Sequence, residues 1–187
     1  MEELLFYLNS IHPLSPRMQE HFIQIVQYTE LRKRDILLRR GQVCENIYFI
    51  LKGILRCYYV KNDNEVSSWF MKEGDLIVSV ESYFLQKPSY EYIQALDDCI
   101  LYSVSHSQLE AAYREFPEMN FISRVFLEKY YTLSEQRIYS IRMQRASERY
   151  QLMLEHHPEI IQRVAAKHIA SYLGITMETL SRLKSKY

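Results

Sequence analysis

Glycine and cysteine are both scarce in this sequence of 187 residues, which has four of the former and three of the latter. The cysteines, Cys44, Cys57 and Cys99, lie far apart and show neither a CxxC nor a Cys/His spacing. A structural zinc site or an iron–sulfur cluster is therefore not expected. Two of the three fall in strand-like runs, where a free cysteine behaves as a small buried hydrophobic residue.

Long apolar stretches are also missing. No run of about eighteen apolar residues is present, so we expect no transmembrane helix and no membrane partner. The acidic, interrupted N-terminal stretch does not have the pattern of a signal peptide, which favours a cytoplasmic location. A chain of this length can form one or two domains and bury a sizeable core without disulfides.

Net charge is zero overall, but the charge is unevenly distributed. From Arg137 to Tyr187 there are nine Lys and Arg residues against four Asp and Glu, whereas residues 1–136 contain 14 basic and 19 acidic residues. A basic C-terminal segment favours contact with a polyanion. A chance imbalance of this size is the alternative interpretation.

Most of the first two thirds has the pattern of a β-domain framed by helices. Two short amphipathic helices are predicted at Glu2–Ser10 and Arg17–Val26, and from Leu31 onward short β-prone runs alternate with turn signals. Even spacing of this kind is typical of a sandwich, jelly roll or barrel. The predicted strands are residues 35–38, 44–51, 55–60, 65–70, 76–80, 92–96 and 100–104.

Helices return after the strands. Ser105 and Gln108 have capping-box spacing for a helix over residues 105–116, and Pro117 suits the first turn of the next helix, which runs to about Arg142. Apolar residues recur along it at spacings of three and four, and a copy of the same helix is the predicted partner. The predicted dimer contacts are Met119, Ile122, Phe126, Tyr130 and Leu133.

The C-terminal stretch predicts two short helices separated by a tight turn. Gly174 is suited to end the first helix, and Thr176 is suited to cap the second, which is predicted to span Met177–Tyr187. Leu180 and Leu183 face inward at a spacing of three, while the opposite face is polar and basic. This is the helix-turn-helix pattern. An ordinary helical hairpin that closes a core is the alternative.

The complete pattern resembles the Crp/Fnr superfamily, which includes the catabolite activator protein. The resemblance depends on Gly41 ahead of the segment Ile47–Gly53, on the Gly74-Asp75 turn, and on the terminal IASYLGIT…TLSR. It implies an α+β fold with an N-terminal β-roll of the cyclic-nucleotide-binding type, that is, a double-stranded β-helix or jelly roll. The implied parts are a sensor over residues 1–116, a dimerisation helix over 117–142 and a helix-turn-helix DNA-binding domain over 143–187.

By this resemblance the protein is a homodimeric, DNA-binding transcription regulator that senses a small effector in the roll. Double-stranded DNA and a second copy of the chain are the expected partners, and RNA polymerase is a further candidate. Arg182 can bridge two acceptors of guanine, and Glu178 can accept a hydrogen bond from cytosine. The expected DNA-binding residues are Lys167, Thr176, Met177, Glu178, Thr179, Ser181, Arg182, Lys184 and Lys186.

The effector is not expected to be cyclic AMP. Cyclic-nucleotide-binding relatives carry a Gly-Glu pair after the Gly-Asp turn and a later arginine that holds the phosphate. Val78-Ser79 and Ser89 stand at those places here, and the nearby Glu91 would repel an anion. The roll's aromatic residues either line an apolar pocket or fill its core. The expected pocket residues are Val78, Ser79, Glu81, Ser89, Tyr90 and Glu91.

Two other classes of protein compete with a DNA-binding regulator. Jelly rolls also carry metal sites in cupin-like enzymes or small-molecule-binding proteins, but the histidines here lie outside the predicted strands. They are His12, His21, His106, His156, His157 and His168. No catalytic motif is present either, so we expect no metal, no cofactor and no enzymatic activity. The other class is a regulatory module that uses its helix-turn-helix for protein contact.

Overall fold

The computed structural model describes residues 1–186, which is all of the chain except Tyr187. In this part of the chain the N-terminal region contains eight strands. They are β1 (Gln27–Leu31), β2 (Ile36–Leu38), β3 (Asn46–Lys52), β4 (Leu55–Lys61), β5 (Asn64–Met71), β6 (Leu76–Ile77), β7 (Tyr92–Ala95) and β8 (Cys99–Ser105).

Helices precede, interrupt and follow the strands. The described residues form α1 (Glu2–Ile11), α2 (Pro16–Ile25), α3 (Val80–Leu85), α4 (His106–Glu115), α5 (Pro117–Met143), α6 (Ala146–His156), α7 (Pro158–Arg163), α8 (Ala166–Leu173) and α9 (Met177–Lys184).

The strands form two antiparallel four-stranded sheets, in the orders β1-β8-β3-β6 and β2-β7-β4-β5. Side chains alternate between the two faces of each sheet, so that Ile93 and Ala95 of β7 are fully buried while Tyr92 and Gln94 are only partly covered. Apolar side chains from the two sheets meet in one core. The predicted fold class, an α+β chain in which a long helix follows a β-roll, is confirmed.

Local signals set several helix ends as predicted. Ser105 Oγ accepts a hydrogen bond from Gln108 N at 3.3 Å, and Ser105 N donates one to Gln108 Oε1 at 3.1 Å, which completes the capping box. Pro117 occupies the first turn of α5, where its missing N–H costs nothing. These short-range pairs could be predicted because both partners lie within one helical turn.

Four elements differ from the prediction, namely β6, α3, β1 and α7. The strand expected at residues 76–80 ends at Ile77, because helix α3 begins at Val80. The exposed Val80, Phe84 and Leu85 of α3 are residue types that are common in strands, but here they are helical. β1 was missed because it is largely polar, and it pairs with β8 along the sheet edge. The short α7, which follows Pro158, was missed as well. The second C-terminal helix ends at Lys184, and its predicted end at Tyr187 lies outside the described residues.

The predicted dimer stripe on α5 requires a correction. Met119, Ile122 and Phe126 are buried in the chain's own core with the β-roll, and Tyr130 packs against the same core. The Tyr130 hydroxyl also accepts a hydrogen bond from Leu76 N at 2.7 Å. Helical periodicity showed that this face is apolar but not that the roll covers it. Leu133 is half-buried.

A second apolar core joins the C-terminal helices to the roll. Ile54 and Leu96 of the roll pack in one cluster with Ile169, Leu173 and Leu180 of α8 and α9. Ile54, Ile169 and Leu180 are almost completely buried. The two terminal helices are thus anchored to the strands as well as to one another, and this anchoring positions the candidate site.

The three cysteines are free and buried, as expected for small apolar residues. Burial raises the pKa of the Cys57 thiol, which keeps it protonated. In residues 1–186 no three His, Cys, Asp or Glu side chains come close enough together to hold a metal ion. Over the same residues, no helix is both long and apolar enough to cross a membrane.

Candidate nucleic-acid interface and effector cavity

The turn between α8 and α9 is built from local backbone contacts. Gly174 has φ +65° and ψ 37°, the left-handed conformation that ends a helix. Its N–H donates to Ser171 O at 3.1 Å, and Ile175 N–H donates to Ala170 O at 3.0 Å. Together they form a Schellman motif, which turns the chain sharply after α8.

α9 begins with a side-chain cap and packs by one face. Thr176 Oγ1 accepts a hydrogen bond from Thr179 N at 3.2 Å, which satisfies a free amide of the first turn. Leu180 is 1% exposed and Leu183 half-buried, so the opposite face of α9 is left to solvent. The helix is therefore presented outward on a fixed base.

The residues predicted to bind DNA lie mostly on this outward face or beside it. Thr179 is half-buried and accepts a hydrogen bond from Arg182 Nη2 at 3.3 Å, which orients the guanidinium along α9. The Glu178 carboxylate, close to Thr176 and Arg182, has a lowered pKa. The exposed members of the set are Lys167, Thr176, Met177, Glu178, Ser181, Arg182, Lys184 and Lys186.

α8 is held by strand β5, a contact that the sequence did not predict. Ser171 Oγ accepts from Ser67 N at 2.9 Å and donates to Glu65 O at 2.9 Å, so one hydroxyl satisfies two backbone groups at the sheet edge. Beside it, the rings of Tyr172 and Phe70 pack with their centroids 5.1 Å apart. The first C-terminal helix thus covers the exposed edge of the second sheet.

Two arginines bind the C-terminal end of α8. Arg137 of α5 donates to Tyr172 O, and its guanidinium stacks 3.6 Å from the centroid of the Tyr172 ring. Arg149 of α6 donates to Leu173 O at 3.1 and 2.8 Å. Cationic side chains at a helix C-terminus donate hydrogen bonds to its free carbonyl groups and interact favourably with the negative end of the helix dipole. Arg137 therefore links the long helix directly to α8.

A buried polar network joins the N-terminal turn of α8 to the roll. Arg56 of β4 is 1% exposed, and its guanidinium donates to Gln94 Oε1 at 3.0 and 2.7 Å and pairs with Glu65. It also stacks 4.1 Å from the Tyr58 ring centroid. Arg56 Nη1 lies 2.7 Å from His168 Nδ1. Burial, together with the Arg56 charge, lowers the pKa of His168 to about 4.

A cavity of about 730 Å³ lies inside the roll, beneath α3 and beside α5. All six residues that the sequence predicted for the effector pocket line it, namely Val78, Ser79, Glu81, Ser89, Tyr90 and Glu91. A volume of this size is typical of small-molecule sites. The remaining lining is mainly apolar or aromatic, and Phe49, Tyr59 and Trp69 contribute rings from the strands.

Hydroxyl groups organise the polar end of this cavity. Ser79 Oγ lies 2.9 Å from Ser89 Oγ, and Ser89 Oγ donates to Glu91 O at 3.0 Å. Burial raises the pKa of the Glu91 carboxyl group, and the nearby hydroxyls of Ser79, Tyr59 and Ser68 act in the opposite direction. Ser79 and Ser89, at the positions where the resemblance implies the Gly-Glu pair and the arginine of cyclic-nucleotide-binding relatives, both line this cavity.

An exposed apolar face runs along the C-terminal two thirds of α5. We call it the exposed α5 face; its exposed apolar residues are Leu127, Tyr131, Ile138 and Ile141, and the half-buried Ser134 lies among them. The spacing of four, three, four and three is that of a coiled-coil seam. Leu127 and Tyr131 are 55% and 69% exposed, and together with Ser134 they also line the cavity. This face is a better candidate for a dimer contact than the buried stripe.

Comparison with known proteins agrees with this architecture. Residues 28–116 match the model of the cyclic nucleotide-binding domain family. FixK2 from Bradyrhizobium japonicum superposes with a TM-score of 0.73 at 21% identity, over 87% of this chain and 84% of FixK2. The c-di-GMP responsive global regulator CLP from Xanthomonas campestris gives 0.72 at 16% identity, over 92% of this chain and 91% of CLP.

A third similar structure comes from Eubacterium rectale and is assigned to the Crp/Fnr family of transcriptional regulators. It gives a TM-score of 0.74 at 15% identity, over 96% of this chain and 86% of its own. No curated protein sequence matches the chain significantly. Residues 28–116 are therefore similar to cyclic nucleotide-binding domains, and the chain has, over most of its length, the fold of Crp/Fnr-type transcription regulators.

Proposed function

We propose that this protein is a DNA-binding transcription regulator and not an enzyme. The observation that carries the proposal is the outward polar and basic face of α9, which is capped by Thr176 and seated on Leu180. The N-terminal half of such a helix fits the major groove, where Arg182 can donate to guanine O6 and N7. Lys167, Lys184 and Lys186 are suited to phosphate contacts.

The three predicted parts of the chain fit one allosteric design. In this proposal residues 1–116 sense the effector, residues 117–142 form the dimer contact and residues 143–187 bind DNA. The cavity lies against α5, and α5 is joined to α8 through Arg137 and Tyr172. A ligand that shifts α5 would therefore change the orientation of α9.

Dimerisation is proposed through the exposed α5 face. Its apolar side chains are 46–69% exposed in the described chain, and a second copy packed by the same spacing would cover them. A dimer would also present two copies of α9, which suits a two-fold DNA site. Contact with RNA polymerase belongs to the same proposal and is supported by the resemblance to this family of regulators.

The proposed effector is a small molecule other than cyclic AMP. A cyclic phosphate needs a guanidinium or comparable donors in the roll, and the described lining of the cavity offers Ser89 and Glu91 at that end. A cupin-like activity has no support in the structure, because no cluster of metal ligands forms within residues 1–186. The alternative is that α9 contacts another protein, and the DNA-selection experiment below distinguishes this alternative from DNA binding.

The test is selection of random duplex DNA by the purified chain at low salt, where phosphate contacts are strongest. Enrichment of a two-fold site by wild type, and its loss in Arg182→Ala, is the expected result. Arg114→Ala is the matched control, because Arg114 is an exposed arginine on α4 outside the proposed interface. Failure to enrich any sequence, with and without a small-molecule extract, would overturn DNA binding and favour protein contact.

A further inference from the structure

The charged side chains that line the roll cavity are all of one sign. Glu81 and Glu91 contribute carboxylates, and within residues 1–186 no lysine, arginine or histidine lines the cavity. Lys87 is nearby, but its ammonium pairs with Glu81 on the exposed side of α3. An anion that enters would lose its hydration and face the Glu91 carboxylate, which has no cationic partner in the described chain. The cavity therefore selects against anionic ligands.

Glu91 provides a buried acceptor without a cationic partner. Its side chain is enclosed by the sheets, with 9% of the residue exposed, and forms no ion pair with any residue in the described chain. The polar groups near the carboxylate are instead the hydroxyls of Ser79, Tyr59 and Ser68. A buried carboxylate is stabilised most by a cation whose attached apolar groups exclude water from the ion pair.

Aromatic rings surround the same space. Tyr59, Trp69 and Tyr90 line the cavity near its polar end, while Phe84 and Tyr131 line it from α3 and α5. The faces of such rings attract organic cations, and more strongly where water is excluded. Rings together with a carboxylate are a recurrent environment for protonated amines.

We propose that the cavity of the roll binds an apolar organic cation, that is, an amine whose protonated nitrogen meets Glu91 and whose body packs against the rings. The proposal rests on the proposed role of the roll as a sensor and specifies the class of its effector. A volume of about 730 Å³ accommodates an aromatic or aliphatic body of substantial size.

The test uses three probes that share an indole ring: tryptamine, tryptophol and indole-3-acetate, which present an ammonium, an alcohol and a carboxylate. Calorimetric titration of the full chain near neutral pH should give tryptamine an affinity about 10-fold above that of tryptophol. Indole-3-acetate and cyclic AMP should give no saturable binding. Equal or tighter binding of tryptophol, indole-3-acetate or cyclic AMP would overturn the proposal. So would the absence of tryptamine binding up to about 10 mM, a range that small fragments normally reach.

Substitution of the carboxylate separates a ligand contact from a structural role. Glu91→Gln should reduce tryptamine affinity to that of tryptophol and leave tryptophol binding unchanged, whereas Glu91→Asp should keep the preference for the amine. Glu81→Gln is the control, because Glu81 is exposed and paired with Lys87, and it should keep most of the preference. A preference for tryptamine that survives in Glu91→Gln would overturn the assignment of Glu91.

A pH series gives a readout that does not depend on folding of the variants. Tryptamine affinity should decline as the medium is acidified and Glu91 takes up a proton, while tryptophol affinity should stay constant. A parallel decline for both probes would contradict the assignment. DNA selection is measured separately. DNA enrichment without amine binding would support the proposed DNA-binding regulator and overturn the proposed class of ligand. Amine binding without DNA enrichment would support the class of ligand and overturn the DNA-binding function.

Discussion

Arg56 Nη1 donates a hydrogen bond to His168 Nδ1 across 2.7 Å, and this contact joins strand β4 of the roll to the first helix of the C-terminal pair. The two residues are 112 positions apart in the chain. His168 can accept this bond only as the neutral imidazole, since a protonated ring has no free lone pair. The docked position of α8 is therefore tied to the protonation state of one histidine.

Stability should fall on acidification because of this contact. The pKa of His168 is about 4 in the folded chain against 6.5 for an unperturbed histidine, so between these values the unfolded chain binds a proton that the folded chain does not. The expected loss, allowing for solvent screening, is about 1–2 kcal/mol as pH falls from 6.5 to 4.

Chemical denaturation of wild type and His168→Asn across this pH range measures the effect. The loss should be smaller in the variant by the stated amount, because asparagine accepts from Arg56 without titrating. Glu91 changes stability in the opposite sense, so only the difference between the two proteins is informative. His156→Asn, at an exposed site, should behave as wild type. Identical pH profiles for His168→Asn and wild type would contradict the prediction.

Removing the link between α5 and α8 should loosen α8. Arg137→Ala eliminates a guanidinium that both stacks on Tyr172 and donates to its carbonyl, and the expected loss of stability is about 1–3 kcal/mol. Hydrogen exchange of α8 amides should become faster in the variant. Arg142→Ala, on the exposed end of α5, is the control and should change neither quantity. Unchanged exchange in Arg137→Ala would show that the strands alone hold α8.

A charge on the exposed α5 face should prevent dimerisation. Ile138 is 46% exposed and lies on that face, so Ile138→Glu would place two like charges opposite one another in a symmetric dimer. Sedimentation at micromolar concentration should give a dimer for wild type and a monomer for the variant. Phe6→Glu is the control, because Phe6 is 78% exposed on α1. A monomeric wild type would contradict the proposed dimer.

Gly53 should tolerate no side chain. It has φ +99°, and a methyl group there would collide with Cys99 Sγ and approach Asp98 O to 2.9 Å. Gly53→Ala should cost about 2–4 kcal/mol, the sum of backbone strain and the collision. Gly41→Ala is a matched control, with φ +89° and no atom within 4 Å of the new methyl, and should cost about 1 kcal/mol. Equal losses by thermal unfolding would show that the backbone moves aside.

Local chemistry explains what could be predicted at the candidate sites. Gly174 and Thr176 set the turn between α8 and α9, and each acts within one helical turn of its own position. The six residues predicted for the pocket came from the resemblance of the stretch after the Gly74-Asp75 turn to the Crp/Fnr superfamily, and all of them line the cavity. The negative charge of Glu91 among them already indicated that an anionic phosphate would be repelled.

Which surfaces meet was decided by the tertiary structure. α5 carries two neighbouring apolar faces, and the sequence could not show that the roll covers Phe126 while Leu127 stays exposed. Arg137, Arg149 and Arg163 contribute to the basic C-terminal segment, yet they bind helix carbonyls or the carboxylates of Glu73 and Asp97.

The sequence by itself determined most of the elements and the turn before α9, because these depend on residues close together in the chain. Only the tertiary structure decided that α8 docks on β5 and that His168 meets Arg56. Periodicity indicates that a face is apolar or polar, but its partner is set by three-dimensional packing of segments far apart in sequence.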